Sequence, residues 1–164
     1  MLCEKEECTG CAACEQICPH NSIRMQFDEE GFIAPIIDET TCTKCGLCDK
    51  SCPILNKPKV YDMYPEAYSF YNRNEEELKK SASGGAFLVF AKKILEEGGV
   101  VFGAVYHKDF SVHITSARTY QELMPMLSSK YVESYTDNTY KEVKELLKSG
   151  IKVLYSGLPC QIAG

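Results

Sequence analysis

Apolar residues recur with two rhythms along this chain, and each rhythm predicts an element. Ile23, Met25 and Phe27 alternate with polar residues, the turn Asp28-Glu29-Glu30-Gly31 follows, and Phe32-Ile33-Ala34-Pro35-Ile36-Ile37 comes next. A period of two on either side of a glycine-bearing turn predicts a β-hairpin, with Pro35 on an edge strand because it cannot donate to a ladder. Farther on the period lengthens. Phe87, Leu88, Ala91, Ile94 and Leu95 share one face of a helix that Gly98-Gly99 stops. Tyr140, Val143, Leu146 and Leu147 mark the inward face of another over 139–148, ended by Gly150. Asn74 is placed to cap a short helix over Glu75–Lys80, and Thr119 one over 120–127. Strands are expected at 67–71, at the apolar run Val100–Tyr106, at Val112–Ala117 as its antiparallel partner, and at 151–155. Gly103 inside an apolar strand predicts close approach by another backbone or a ligand. Such alternation of helices and apolar strands predicts an α/β sheet layered with helices.

That sheet begins only after a break. Residues 54–66 carry two prolines and little periodicity, so 59–66 reads as a linker between a domain over 1–58 and a second over 67–164. Cysteine usage agrees, because nine of the ten cysteines lie within the first 52 residues. Charge agrees as well. Residues 1–58 hold ten Asp/Glu against five Lys/Arg and the rest of the chain thirteen of each, so the whole net charge of -5 sits in the first part. That acidity argues against a nucleic-acid partner. No apolar run approaches the roughly 20 residues of a membrane span, and the opening MLCEKEECTG is too charged for a signal peptide, so a cytoplasmic protein is expected. The last strand is followed by a turn and only the first residues of a helix before Gly164. The second domain is therefore expected to be incomplete, continued in the same chain or completed by another polypeptide.

The cysteines repeat at a constant offset. Cys8, Cys11, Cys14, Cys18 and Pro19 return as Cys42, Cys45, Cys48, Cys52 and Pro53. Each copy has the C-x2-C-x2-C-x3-C-P spacing that ligates cubane iron–sulfur clusters. Three thiolates two residues apart wrap one face of a cluster. The fourth lies too far along to close the same cluster and crosses to the other. Cys8, Cys11, Cys14 and Cys52 are thus expected to hold one 4Fe–4S cluster, and Cys42, Cys45, Cys48 and Cys18 the second. A disulfide framework would need an exported chain. Zinc knuckles use paired cysteines and leave the third in each run without a role. Over about residues 4–56 the module resembles bacterial two-cluster ferredoxins, with the hairpin's apolar face covering the clusters. Such a small module draws much of its folding free energy from its clusters. Cys3, outside both repeats, reads as a loose N-terminal thiol.

In the second domain, Ser81-Ala82-Ser83-Gly84-Gly85 precedes a helix. Its N–H groups either bind a phosphate or form an ordinary helix start. Lys130 and Tyr131 either meet an anionic planar cofactor or are a surface lysine beside a half-buried tyrosine. Cys160, at the carboxyl end of the last strand, is a thiolate nucleophile, a ligand to an extra cluster, or a buried inert thiol. His107 and His113 look like turn and strand-surface residues with no metal-ligand spacing.

Three blocks carry a family resemblance: SASGGAFLVFAKKILEEGGVVFGAVY (81–106), SKYVES (129–134) and YKEVKELLKSGIKVLYSGLPCQIAG (140–164). In order, and after a ferredoxin module, they resemble the coenzyme F420 hydrogenase/dehydrogenase beta-subunit family. The resemblance implies an α+β chain: a ferredoxin-type module with two 4Fe–4S clusters, then an incomplete α/β domain of flavin-binding type. It implies an oxidoreductase subunit in which FAD exchanges electrons with the clusters, F420 being a substrate in some members. It also implies flavin contacts from Ser83, Gly84 and Gly85, beside which Lys130 and Tyr131 stand as candidate cofactor contacts, and makes Cys160 a candidate cluster ligand. Partners would be a redox protein or hydrogenase/dehydrogenase subunits. The alternative is a ferredoxin-like carrier, or a cluster-stabilised partner protein in polysaccharide biosynthesis, with no catalytic site of its own.

Overall fold

The computed structural model describes residues 2–57 and 65–164, so most of the expected linker, 59–64, lies outside the described residues. Its helices are α1 (Ala13–Ile17), α2 (Leu47–Ser51), α3 (Glu75–Lys80), α4 (Ala86–Glu96), α5 (Tyr120–Leu123), α6 (Thr139–Lys148) and α7 (Pro159–Ala163). The strands are β1 (Ile23–Phe27), β2 (Ile33–Ile37), β3 (Val100–Tyr106), β4 (Val112–Ala117), β5 (Ser134–Tyr135) and β6 (Val153–Tyr155). The chain divides into two compact units, Met1–Val60 with Leu158–Gly164, and Tyr61–Gly157. The terminal stretch with α7 and Cys160 thus groups with the first unit, although it follows β6 in sequence.

The first unit is a hairpin with two short helices and α7. β1 and β2 pair antiparallel, Ile23 opposite Ile37 and Met25 opposite Pro35, so the alternation seen in sequence puts these four on one face. Asp28 closes the turn by accepting from the N–H groups of Glu30 and Phe32. The helices repeat with the cysteines: α1 and α2 occupy equivalent positions in the two copies of the motif.

The second unit is a mixed four-stranded sheet in the order β5-β4-β3-β6, with β3 antiparallel to β4 and parallel to β6. Helices cover both faces. Leu88 and Ala91 of α4, with Leu123 of α5, pack on Val101 and Ala117 on one side. Leu146 of α6 packs on Val100, Phe102 and Ile114 on the other. Successive β3 residues face opposite ways, which explains a run apolar throughout. Asn74 caps α3 by accepting from the Glu76 and Glu77 N–H groups, and Thr119 forms a capping box with Glu122.

Several expected elements differ. Residues 67–71 form no strand: Tyr68 and Tyr71 are exposed, and no neighbouring strand among the described residues supplies a ladder. The helix expected over 120–127 ends at Leu123 and tightens into a 3-10 turn over Met124–Met126, because Pro125 has no N–H to give to the α-helical ladder. Leu147 is exposed, since Leu146 already faces the sheet and its neighbour turns about 100° away. β6 is two residues shorter than expected. The close approach at Gly103 comes from the Met126 side chain, whose sulfur would lie 3.0 Å from an added Cβ; neither a backbone nor a ligand is needed to explain this glycine.

Gly84 is explained in the same way. A Cβ there would collide with the Phe70 carbonyl oxygen, while the Gly84 carbonyl accepts from the Asn72 N–H at 2.8 Å. Two backbones meet, and neither can yield like a flexible side chain. Gly84→Ala is therefore expected to destabilise the second unit by about 1–3 kcal/mol, the usual cost of overpacking, read as a lower denaturation midpoint.

Candidate metal centre

Both cysteine loops adopt one backbone path. Gly10 and Ala12 have φ of 65° and 59°, and their counterparts in the second loop, Lys44 and Gly46, have 55° and 73°. Left-handed conformation at alanine and lysine is unfavourable, yet it recurs at equivalent positions. Such alternation turns successive N–H groups to one side, into a concavity suited to an anionic group. Ala12 and Gly46 lead straight into α1 and α2, and Cys18 and Cys52 stand just past the ends of those helices in extended conformation.

Two hollows result. One is lined by Cys8, Cys11, Cys14 and Cys52, with Met25 and Pro35 of the hairpin above them. The other is lined by Cys18, Cys42, Cys45 and Cys48, with Ile23 and Ile37 above. Each hollow gathers three cysteines of one loop and the last cysteine of the other, the crossing that the spacing predicts. The hairpin's apolar face covers both. Their atom-free space, part of it open to solvent, is about 350 Å³ and 1030 Å³. Among the described residues no three His, Cys, Asp or Glu side chains converge as a single bound ion requires. The thiols line hollows instead, and four soft sulfur donors around a hollow fit a cubane cluster.

Electrostatics sharpen the fit. Burial, with repulsion from Cys11 and Cys8, pushes the Cys14 thiol up to about 12. Burial raises Cys11, the Ala13 N–H pulls it down, and the neighbouring Cys160 pushes it up again. Ligation requires thiolates, so these cysteines need a cationic centre to offset their buried charge, and iron supplies one. Cys18 behaves differently. Burial raises it, but N–H groups of Ser22, His20 and Ile23 outweigh burial and hold it below the ordinary thiol range, with Ser22 N at 3.4 Å from the sulfur.

Cys3 is no loose thiol. It is half-buried in the wall of the first hollow, and burial together with hydrogen bonding and repulsion from Cys52 and Cys8 pushes it up to about 12. Its position ahead of the first motif carries no spacing signal.

The other candidate residues fall into different units: Ser83–Gly85, Lys130 and Tyr131 in the second, Cys160 in the first. In the glycine loop the Ala82 N–H donates to Leu127 and the Gly85 N–H to Ala82, leaving Ser83 exposed at φ 52°. Lys130 Nζ donates to the Pro125 and Ser128 carbonyls at 2.6 and 2.8 Å, and burial lowers its pKa. Tyr131 is 92% exposed, so the half-buried tyrosine considered from sequence is not found. The Ala82 and Gly85 N–H groups and the Lys130 ammonium thus have acceptors within their own chain.

His113 has partners that sequence does not show. Its Nδ1 lies 2.7 Å from Asp137 and its Nε2 3.0 Å from Ser111 Oγ. The set resembles a hydrolytic triad, but the Ser111 hydroxyl donates to Asp109 at 2.7 Å rather than to the imidazole. A nucleophilic serine must do the reverse. The network clamps β4 to the segment after β5.

Two family profiles, each described as a 4Fe-4S dicluster domain, match residues 7–55 and 34–95. Both include the second cysteine run, and no cysteine lies between Cys52 and Cys160, so the two matches describe one pair of four-cysteine sets. No curated protein matches the chain closely enough to count as a relative. The N-terminal part of the chain is an iron–sulfur domain of the dicluster ferredoxin type, built for two 4Fe–4S clusters and pointing to electron transfer. Among the described residues no helix is long and apolar enough to cross a membrane.

Proposed function

We propose that the chain carries electrons through two 4Fe–4S clusters, one ligated by Cys8, Cys11, Cys14 and Cys52, the other by Cys42, Cys45, Cys48 and Cys18. The observation that supports this reading best is the crossed lining of the two hollows. When bound, each cluster supplies one-electron redox chemistry. The chain's own part is to hold eight thiolates, aim N–H groups at sulfur as Ser22 does at Cys18, and keep water away with Ile23, Met25, Pro35 and Ile37. Anaerobic reconstitution with iron and sulfide is expected to give about eight iron atoms per chain. Uptake of only two tightly bound zinc ions would overturn the assignment.

The finer reading is an iron–sulfur flavoprotein subunit of the coenzyme F420 hydrogenase/dehydrogenase beta-subunit type, supported by the ordered blocks at 81–106, 129–134 and 140–164. A carrier without its own flavin is favoured by a specific observation: Gly84 is filled by the Phe70 carbonyl, and Lys130 is spent on Pro125 and Ser128. Titrating the full chain with FAD separates the two. Quenching of flavin fluorescence at one equivalent supports the flavoprotein; an unchanged signal supports the carrier.

A further inference from the structure

The two halves of the first unit follow one pattern, and Cys3 breaks it. Its counterpart in the second copy of the repeat is Ile37, which closes the second hollow as a hydrocarbon. In the first hollow the corresponding place in the repeat brings a thiol. That hollow is lined by five cysteines, Cys3 with Cys8, Cys11, Cys14 and Cys52, whereas the second has four. Cys3 shares the wall of the first hollow with Cys52 and Cys8.

Its segment is held in place. Leu2 lines both hollows. A 3-10 turn over Lys5–Glu7 joins Cys3 to the first motif, with the Cys8 N–H donating to the Lys5 carbonyl at 3.2 Å. Lys5 Nζ pairs with Asp28 at the hairpin turn, 3.1 Å away. A cubane takes four thiolates, so one cysteine of the five is in excess.

We propose that Cys3 is a reserve ligand of the first cluster, taking up an iron site when Cys52 or Cys8 is unavailable. This rests on the crossed ligation proposed above. In the exchange an iron–sulfur bond to Cys3 forms where that to Cys52 or Cys8 is missing, the Cys3 thiol gives its proton to solvent, and no electron is transferred. The second cluster has no such reserve.

The test uses the full chain reconstituted anaerobically with iron and sulfide, as wild type, Cys52→Ala, Cys8→Ala and the double variant Cys3→Ala/Cys52→Ala. Iron per chain and alkylation of Cys3 by iodoacetamide, read by mass spectrometry, are both followed. The expected wild type holds about eight iron atoms with Cys3 open to alkylation, and Cys52→Ala keeps about eight with Cys3 alkylated about tenfold more slowly. The double variant falls to about four. Two results overturn the inference: both single variants dropping to the level of the double, or Cys52→Ala keeping its iron with Cys3 alkylated as fast as in wild type. A wild type that never reaches eight iron atoms sinks the underlying cluster reading instead.

Discussion

Replacing Cys18 with alanine is expected to cost the protein the cluster held by Cys42, Cys45 and Cys48, in the other copy of the repeat, and to spare the one that its own motif holds. Cys18 lines the second hollow and is absent from the first, although three of its own motif partners line the first. Iron should fall from about eight atoms per chain towards four. Alkylation should then label Cys42, Cys45 and Cys48 while Cys8, Cys11, Cys14 and Cys52 stay protected. Labelling of Cys8, Cys11 and Cys14 instead, with Cys52 protected beside Cys42, Cys45 and Cys48, would mean that each motif closes on its own cluster. The loss should be marked because the second hollow holds no fifth cysteine. Moreover, the N–H donors around Cys18 already favour its ionised form, so its removal takes away a ligand prepared for the thiolate state.

The contrast between Cys18 and Cys3 shows what a sequence can and cannot carry. Cys18 is legible because covalent spacing limits which cluster a thiolate can reach, and the same limit appears twice, once in each copy of the motif. Even the hairpin cover follows from local alternation. Cys3 lies outside both cysteine motifs and its counterpart at the repeat offset is Ile37, so only the tertiary path of its segment, fixed by Lys5 on Asp28, brings it to the hollow. The same distinction holds in the second unit. Helix α4 is legible because Leu88 and Ala91 share a face that the sheet covers. The aromatic run at 67–71 looks like a strand by composition, yet a strand needs a partner, and there the Phe70 carbonyl packs against Gly84 instead. Lys130 likewise looks free for a cofactor until the turn around Pro125 supplies its acceptors.

Removing the iron is expected to unfold the first unit and leave the second standing. The reason lies in how little the first unit buries. Among the described residues its buried apolar side chains are Ala12, Ala13, Ile23, Ile33 and Pro53, two of them no larger than a methyl group. The second unit buries Leu88, Val100, Val101, Phe102, Ile114 and Leu123, with further residues on both faces of its sheet. At about 25 cal/mol per Å², two isoleucines, two alanines and a proline cannot offset the ordering of about sixty residues at roughly 1–2 kcal/mol each. The hollows are where the missing core belongs, and metal–thiolate bonding there is folding free energy. Treating the reconstituted full chain with a reductant and an iron chelator should therefore raise amide exchange in β1, β2, α1 and α2 by about 10³-fold or more, towards that of an unfolded segment. Exchange in β3 and β4 should change less than about tenfold, because their protection comes from the packed sheet. Equal loss in both units would show that the sheet depends on the clusters as well. Unchanged protection in β1 and β2 would show that the hairpin stands on Ile23 and Ile33 alone.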